Sequence, residues 1–286
     1  MLSLQKQMKK MMNEQQLWRR LTAVYDEREA KAVARWLLDV GFGLSLTDVL
    51  CGGIERLEPA EQERLERLTA RLCKGEPVQY VLGVADFCGR TLHVEPGVLI
   101  PRPETEELCR WAVAEACGPR VLDIGTGSGC IAITLALDLK HAEVTAWDIS
   151  VEALRIAAAN AERLGAYVSF VRQDALCPPA DTERWELIVS NPPYVMNKER
   201  EGMSLNVLDY EPHLALFVPD NDPWVFYRHI ADYARHALCS KGSLMLETSP
   251  LLAETVSNYL SAVGFQQVEV RCDQFGKQRF IKATKP

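Results

Sequence analysis

The chain has 286 residues, of which 48% are hydrophobic and 25% are charged, and its formal net charge is −7. This composition excludes global disorder and a collagen-like fold, and the acidic balance disfavours a protein that binds bare duplex DNA. No apolar run approaches the roughly 18 residues that a membrane span requires, and residues 1–16 are too polar for the core of a signal peptide. The sequence therefore predicts a soluble cytoplasmic protein without a membrane partner.

Residues 1–85 predict a small, all-helical N-terminal bundle. Asp26 is placed to cap a helix, apolar residues then recur at helical spacing, and Gly41 is expected to end this helix. Pro59 suits the first position of a later helix.

Residues 86–100 alternate apolar and polar side chains around Gly89-Arg90, which predicts a β-hairpin that connects two domains. Pro103 is then placed to open a helix, with acidic residues in its first turn. Residues 101–286 are predicted to form the second domain.

From about residue 119, predicted strands alternate with predicted helices. This alternation of strands and helices predicts an α/β fold with a doubly wound, mostly parallel, Rossmann-like sheet. The last two strands have no helix between them, so they are expected to form an antiparallel C-terminal edge hairpin around Gly276. The predicted strands are Arg120–Ile124, Glu143–Asp148, Val168–Gln173, Leu187–Ser190, Ser243–Glu247, Gln267–Arg271 and Arg279–Lys282, and two of the predicted helices are Val151–Leu164 and Trp224–Leu238.

The first of these strands runs into a glycine-rich turn, Gly125-Thr126-Gly127-Ser128-Gly129. The third glycine comes one residue too early for a dinucleotide fingerprint, and Asp123 precedes the first glycine by two residues. An acid there suits a cation better than a pyrophosphate, and S-adenosyl-L-methionine carries a sulfonium and an ammonium but no phosphate. The turn therefore predicts this cofactor, with glycines that allow close backbone approach and Asp123 holding the ammonium directly or through water.

Two further acids end the next two strands. Asp148 stands at a strand tip, where a carboxylate can accept hydrogen bonds from both ribose hydroxyls. Asp174, with Ala175 beside it, follows the third strand. Contact with the adenine and a simple cap of the strand end are both compatible with this position.

The fourth strand leads directly into Asn191-Pro192-Pro193-Tyr194. The prolines fix φ and remove backbone donors at the carboxyl end of a central strand, where ligands bind in such sheets. The Asn191 side-chain oxygen and the Pro192 carbonyl can accept both hydrogens of one planar NH₂ group, while Tyr194 packs against its face. This arrangement would aim the nitrogen lone pair at a methyl group through positioning, without a metal ion or a strong general base.

The two turns together resemble those of class I methyltransferases that act on planar nitrogens of DNA, rRNA or protein glutamine. Residues 77–108, with the signature Arg102-Pro103-Glu104-Thr105-Glu106, and residues 210–216 resemble the peptide chain release factor glutamine methyltransferases. The resemblance implies transfer of a methyl group from S-adenosyl-L-methionine to N5 of the glutamine in the Gly-Gly-Gln motif of bacterial class I release factors, with S-adenosyl-L-homocysteine as product. It implies that Gly125–Gly129, Asp148 and Asn191 contact the cofactor and that Asn191–Tyr194 hold the substrate amide.

The sequence departs from this family at Ala175, where an aromatic residue is common, and at Thr248-Ser249-Pro250, where the family often carries a glycine. Arg102 and Glu104 suit either an ion pair that fixes the connector or a contact with a ligand.

The alternatives are the same reaction on a ribosomal protein and methylation of a DNA or RNA base. The second needs a basic track, which the net charge disfavours, so no direct nucleic-acid substrate is expected. A pocket for one amide cannot distinguish one glutamine from another. Residues 1–85 are therefore predicted to provide a second, substrate-docking surface.

Overall fold

The structure is a computed structural model that describes residues 12–116 and 118–286. These residues divide into two compact units. One comprises the described residues up to Gly83 together with Ser204–Tyr210, and the other comprises Val84–Met203 and Glu211–Pro286. The hairpin that was predicted as a connector belongs to the second unit. Ser204–Tyr210 joins the helical unit, where the Tyr210 hydroxyl donates a hydrogen bond to the Lys74 carbonyl (3.1 Å).

The described helices, in chain order, are α1 Glu14–Leu21, α2 Glu27–Phe42, α3 Leu46–Leu50, α4 Pro59–Leu72, α5 Val78–Leu82, α6 Pro103–Glu115, α7 Cys130–Asp138, α8 Val151–Leu164, α9 Leu205–Tyr210, α10 His213–Leu216, α11 Val225–Ala237 and α12 Ala253–Ala262. Short 3₁₀ turns span Ile54–Arg56 and Asn197–Gly202. None of these helices is both long and apolar enough to cross a membrane.

The described strands, in chain order, are β1 Val84–Phe87, β2 Arg90–His93, β3 Arg120–Ile124, β4 Glu143–Asp148, β5 Val168–Arg172, β6 Trp185–Ser190, β7 Val195–Met196, β8 Phe217–Val218, β9 Leu238–Glu247, β10 Gln266–Cys272 and β11 Gln278–Thr284.

In the helical unit, capping residues set the two ends of α2. Asp26 caps α2, because its side chain accepts a hydrogen bond from the backbone N–H of Glu29 (2.8 Å). The predicted end of α2 at Gly41 is wrong, since the helix continues to Phe42 and Gly43 (φ +65°) supplies the left-handed C-cap. The apolar faces of α1, α2 and α4 pack together in one core, which includes Leu17, Leu21, Leu37, Leu38, Leu65 and Leu72.

The hairpin β1–β2 turns through two residues, Cys88 and Gly89, and both have positive φ (48° and 71°). Two-residue hairpin turns of this kind match the twist of the flanking strands. The hairpin is confirmed, but it begins two residues earlier than the sequence predicts.

The described residues of the second unit form a seven-stranded sheet in the order β10-β11-β9-β6-β3-β4-β5. Strands β9, β6, β3, β4 and β5 are parallel, and β11 is antiparallel to both of its neighbours. The doubly wound sheet with an antiparallel edge hairpin is therefore confirmed, and Gly276 (φ +78°) lies in the turn of that hairpin.

Helices cover both faces of this sheet. Val121 of β3 packs in one core with residues of α6 and α7, while the adjacent Leu122 packs in another with residues of α11 and α12. From β3 the chain proceeds outward in one direction, and from β6 it proceeds outward in the other. The carboxyl ends of β3 and β6 therefore flank the switch point of the topology, where open α/β sheets bind their ligands.

Candidate active site

A cavity opens at the carboxyl ends of the parallel strands, beside the β3–β6 switch point. Predicted site residues at or just after the ends of strands β3, β4, β5 and β6 line this cavity, namely Gly125, Gly127, Asp148, Asp174, Ala175, Asn191, Pro192 and Pro193. Further walls, which the sequence did not suggest, come from residues 97–99, Pro212, Leu214, Ala215, Phe226 and Ile230. The structure thus brings the glycine-rich turn and the Asn191 turn to one cavity.

The three glycines of the first turn all have positive φ, at 78°, 55° and 86°, but they differ in surroundings. A Cβ on Gly125 or Gly127 would meet no atom within 4 Å, and both residues line the cavity. A Cβ on Gly129 would lie 2.9 Å from Ile133 Cδ1 and 3.1 Å from the Cβ of Ala157 in α8. Gly129 thus permits close packing of α7 on α8, a role distinct from the predicted contact with the cofactor.

Substitution of these glycines should separate the two roles. We expect Gly127→Ala to cost roughly 1–2 kcal/mol of unfolding free energy through left-handed strain and to weaken S-adenosylmethionine binding. Gly129→Ala should add roughly 1–3 kcal/mol of overpacking to the same strain. Urea unfolding and calorimetric titration of both variants test this, and equal losses of stability would contradict the assignment.

Asp148 holds the turn in place as well as lining the cavity. One carboxylate oxygen accepts a hydrogen bond from the Gly127 N–H and the other from the Ser150 N–H, each at 2.9 Å. Burial raises the pKa of Asp148. Each oxygen retains a second lone pair, so the carboxylate still has acceptor capacity for the predicted ribose hydroxyls.

Asp123 lies behind the turn and is fully buried. Its Oδ2 accepts hydrogen bonds from Thr126 Oγ1 (2.6 Å) and from the Ala132 N–H (3.2 Å). Within the described residues, Oδ1 has no hydrogen-bond partner, and burial raises the pKa of Asp123 to about 7. An orphaned carboxylate oxygen suits a nearby cation, but Asp123 does not line the cavity, so its contact with the ammonium of S-adenosylmethionine stays a prediction.

Some predicted site residues do not line the cavity in the described part of the chain; these are Asp123, Thr126, Ser128, Gly129 and Tyr194. Thr126 and Ser128 are buried. Asp174 does line the cavity, and its Oδ1 also accepts a hydrogen bond from the Leu176 N–H (2.8 Å). Ala175 leaves this wall without an aromatic ring of its own, while Phe226 of α11 contributes one.

The Asn191 turn is held by a network that we call the amide network, formed by Asn191, Thr105, Glu247 and Tyr194. Asn191 Nδ2 donates to Thr105 Oγ1 (3.2 Å), and Thr105 Oγ1 donates to Glu247 Oε2 (2.7 Å). The Tyr194 hydroxyl donates to Glu247 Oε1 (3.3 Å), and its ring packs against the apolar core. Stacking of Tyr194 on a substrate amide therefore stays a prediction.

Arg102 forms an ion pair, one of the two interpretations that the sequence left open. Its Nη2 lies 2.7 Å from Glu211 Oε1, and Glu211 Oε2 accepts a hydrogen bond from the Ile100 N–H (3.2 Å). Glu211 is almost wholly buried. This pair joins the segment that precedes α6 to the segment after Tyr210, and both segments contribute to the cavity wall.

Two family models match the chain: the PrmC N-terminal domain over residues 15–83 and the methyltransferase small domain over residues 109–208. A release factor glutamine methyltransferase of Bacteroides thetaiotaomicron is 45% identical, with 93% of this chain and 96% of that protein covered. One from Flavobacterium psychrophilum is 37% identical, with 92% and 95% covered.

Among solved structures, a methyltransferase from Pyrococcus furiosus matches with a TM-score of 0.51 at 17% identity, covering 80% of this chain and 99% of that one. This likeness shows a shared fold, and together with the methyltransferase small domain matched over residues 109–208 it confirms the class I methyltransferase fold. The two relatives are 45% and 37% identical to this chain over more than nine tenths of its length, which shows that they share its family. The chain therefore belongs to the release factor glutamine methyltransferases, a family of S-adenosylmethionine-dependent enzymes.

Proposed function

We propose that this chain transfers a methyl group from S-adenosylmethionine to N5 of the glutamine in the Gly-Gly-Gln motif of bacterial class I release factors. The observation that carries the proposal is a single cavity lined by both Gly125 and Gly127 and by Asn191 and Pro192. A cofactor on the first turn and an amide on the second would therefore be neighbours. The names of the relatives supply the substrate, a glutamine of a release factor.

The residues of this chain perform the reaction by orientation. S-adenosylmethionine supplies a methyl group on a positively charged sulfur. Asn191 Oδ1 and the Pro192 carbonyl accept the two hydrogens of the substrate amide and aim its nitrogen lone pair into the cavity. When the nitrogen–carbon bond forms and the sulfur–carbon bond breaks, the sulfur would keep the electron pair of the broken bond, and one amide hydrogen would leave as a proton to solvent water.

On the cofactor side, Asp148 would hold the ribose, and Asp123 the ammonium through its unpartnered oxygen. Asp174 and Ala175 would border the adenine, and the amides of residues 125–129 would surround the amino-acid end. Support comes from the positions of Asp148, Asp174 and Ala175 on the cavity wall.

We also propose that the helical unit docks the release factor, because one amide pocket provides no means of choosing among glutamines. Binding energy far from the reacting nitrogen can then orient the substrate. The family model for the N-terminal domain covers residues 15–83 of this unit, which supports a dedicated role.

Labelled-methyl transfer to a purified release factor, a purified ribosomal protein and DNA, assayed side by side, tests the proposed substrate. We expect label on the release factor alone and none when S-adenosylhomocysteine saturates the enzyme. Label on the ribosomal protein or on DNA, with none on the release factor, would overturn the proposal.

Deletion of residues 1–83, which leaves only Ser204–Tyr210 of the helical unit, tests the role of that unit. A chain that begins at Val84 should still bind S-adenosylmethionine, because every residue that lines the cavity belongs to the second unit. It should lose most of its kcat/KM on intact release factor, and a short Gly-Gly-Gln peptide should be a poor substrate for both chains. Equal efficiency of the two chains on intact release factor would show that the helices only stabilise the protein.

A further inference from the structure

The Asn191 side chain presents a problem of orientation. An asparagine amide has an acceptor oxygen and a donor NH₂ group of nearly the same shape. If the proposed function is right, only the oxygen can face the NH₂ group of the substrate, since a reversed amide would oppose two sets of donors. Asn191 must therefore be held in one of two sterically similar states.

We propose that Thr105 and Glu247 are positioning residues that set the orientation of the Asn191 amide, so that Oδ1 is left for the substrate. The inference rests on the proposed function and on the direction of two hydrogen bonds.

The direction of those bonds is set by Glu247 in its ionised form. An ionised carboxylate can only accept, so the Thr105 hydroxyl must donate its one hydrogen to Glu247 Oε2 (2.7 Å). Thr105 Oγ1 is then an acceptor toward Asn191, and it is Nδ2 that donates to it (3.2 Å). Because Nδ2 donates to Thr105, Asn191 Oδ1 makes no hydrogen bond within the amide network.

The arrangement excludes water and is anchored in the fold. Thr105 is 2% exposed and Glu247 is 1% exposed, so solvent does not replace either partner. Thr105 lies in the first turn of α6, Glu247 ends β9, and Asn191 follows β6. The Tyr227 hydroxyl of α11 donates to the Glu247 carbonyl (3.2 Å) and fixes the end of β9.

Glu247 also contacts Tyr194, at the other end of the Asn191 turn. Its second oxygen accepts the hydrogen bond of the Tyr194 hydroxyl (3.3 Å). One carboxylate thus contacts Tyr194 directly and Asn191 by way of Thr105. This accounts for a buried acid that immediately precedes Thr248-Ser249-Pro250, where the sequence departs from its family.

The protonation state of Glu247 should therefore affect the chemistry. Thr105 and Glu104 of α6, Tyr194 of the turn and Arg279 of β11 face its carboxyl group. Burial, and to a smaller extent the charge of Glu104, raise the pKa of Glu247 to about 7, against the opposing effects of the Thr105 hydrogen bond and of Arg279. Below that pH the protonated group becomes a donor to Thr105, whose hydroxyl can then donate to Asn191 Oδ1 and reverse the amide.

Single-turnover methylation of intact release factor by the full chain, at saturating S-adenosylmethionine, provides the test. We expect Thr105→Val, which keeps the shape and removes the hydroxyl, to lower the rate by about 10- to 100-fold with little change in cofactor affinity. Thr105→Ser, which keeps the hydroxyl, should restore most of the rate.

Two readouts separate orientation from a merely structural role. A release factor with glutamate in place of the target glutamine should bind wild-type enzyme weakly, because two acceptors face its carboxylate, and Thr105→Val should lose much of this discrimination. If Thr105→Val fails to fold, Glu247→Gln still serves. At saturating S-adenosylmethionine, whose ammonium would keep Asp123 ionised, the wild-type rate should fall between pH 8 and 6, in a range about the pKa of Glu247, and the Glu247→Gln rate should not.

A Thr105→Val rate equal to wild type, unchanged glutamine-over-glutamate discrimination, or a wild-type pH profile in Glu247→Gln would each overturn the positioning role. Failure of the wild-type enzyme to modify any release factor is a different result, and it would remove the proposed function itself.

Discussion

Asn191→Ala should lower the single-turnover rate of methyl transfer by about 100-fold or more, the loss expected when one preorganised polar contact is deleted. The substitution removes Oδ1, one of the two acceptors proposed to orient the substrate nitrogen, while the backbone of the turn keeps its proline-fixed shape. The free energy of unfolding and much of the affinity for S-adenosylmethionine should remain.

Asn258→Ala is the matched control, because Asn258 is exposed on α12 and does not line the cavity. It undergoes the same chemical change and should react at the wild-type rate. Near-wild-type turnover by Asn191→Ala would defeat the proposed mechanism, whatever its effect on cofactor binding.

Asp148→Ala should weaken S-adenosylmethionine binding by roughly 1.5–3 kcal/mol, the range for a lost hydrogen bond to a charged group. Two effects contribute to the loss. The variant removes the predicted acceptor of the ribose hydroxyls, and it frees the N–H groups of Gly127 and Ser150, which the carboxylate now holds.

Calorimetry on the folded variant measures this effect. Asp39→Ala removes an exposed carboxylate in α2, remote in sequence from the glycine-rich turn, and should leave the affinity unchanged. Unchanged affinity in Asp148→Ala itself would exclude Asp148 from the cofactor site.

The sequence predicted those elements that are bounded by strong local signals. Strands β3 and β4 and helix α8 begin and end at the predicted residues, since each apolar pattern stops at a glycine or an acid. Strand β9 begins at Leu238, five residues before its predicted start at Ser243. Lys241 has a positive φ, and the pairing with β6 shifts between Trp185 and Leu187, so Ser240–Gly242 has the local pattern of a turn although it lies within the strand.

The same distinction applies to the site. The two turns could be found because strand, turn and helix are contiguous in the chain. The amide network could not, since Asn191 and Thr105 are 86 residues apart and Thr105 and Glu247 are 142 apart. The glycine pattern also gave no means of separating Gly127, beside the cavity, from Gly129, which packs on α8, because both have positive φ.

The most direct test of the central claim is to map the transferred methyl group on an intact release factor by tandem mass spectrometry. We expect one added methyl group on the glutamine side chain of Gly-Gly-Gln, and none on a release factor whose target glutamine is replaced by asparagine. A methyl group on another residue, or an unmodified release factor beside a methylated ribosomal protein or DNA, would contradict the account.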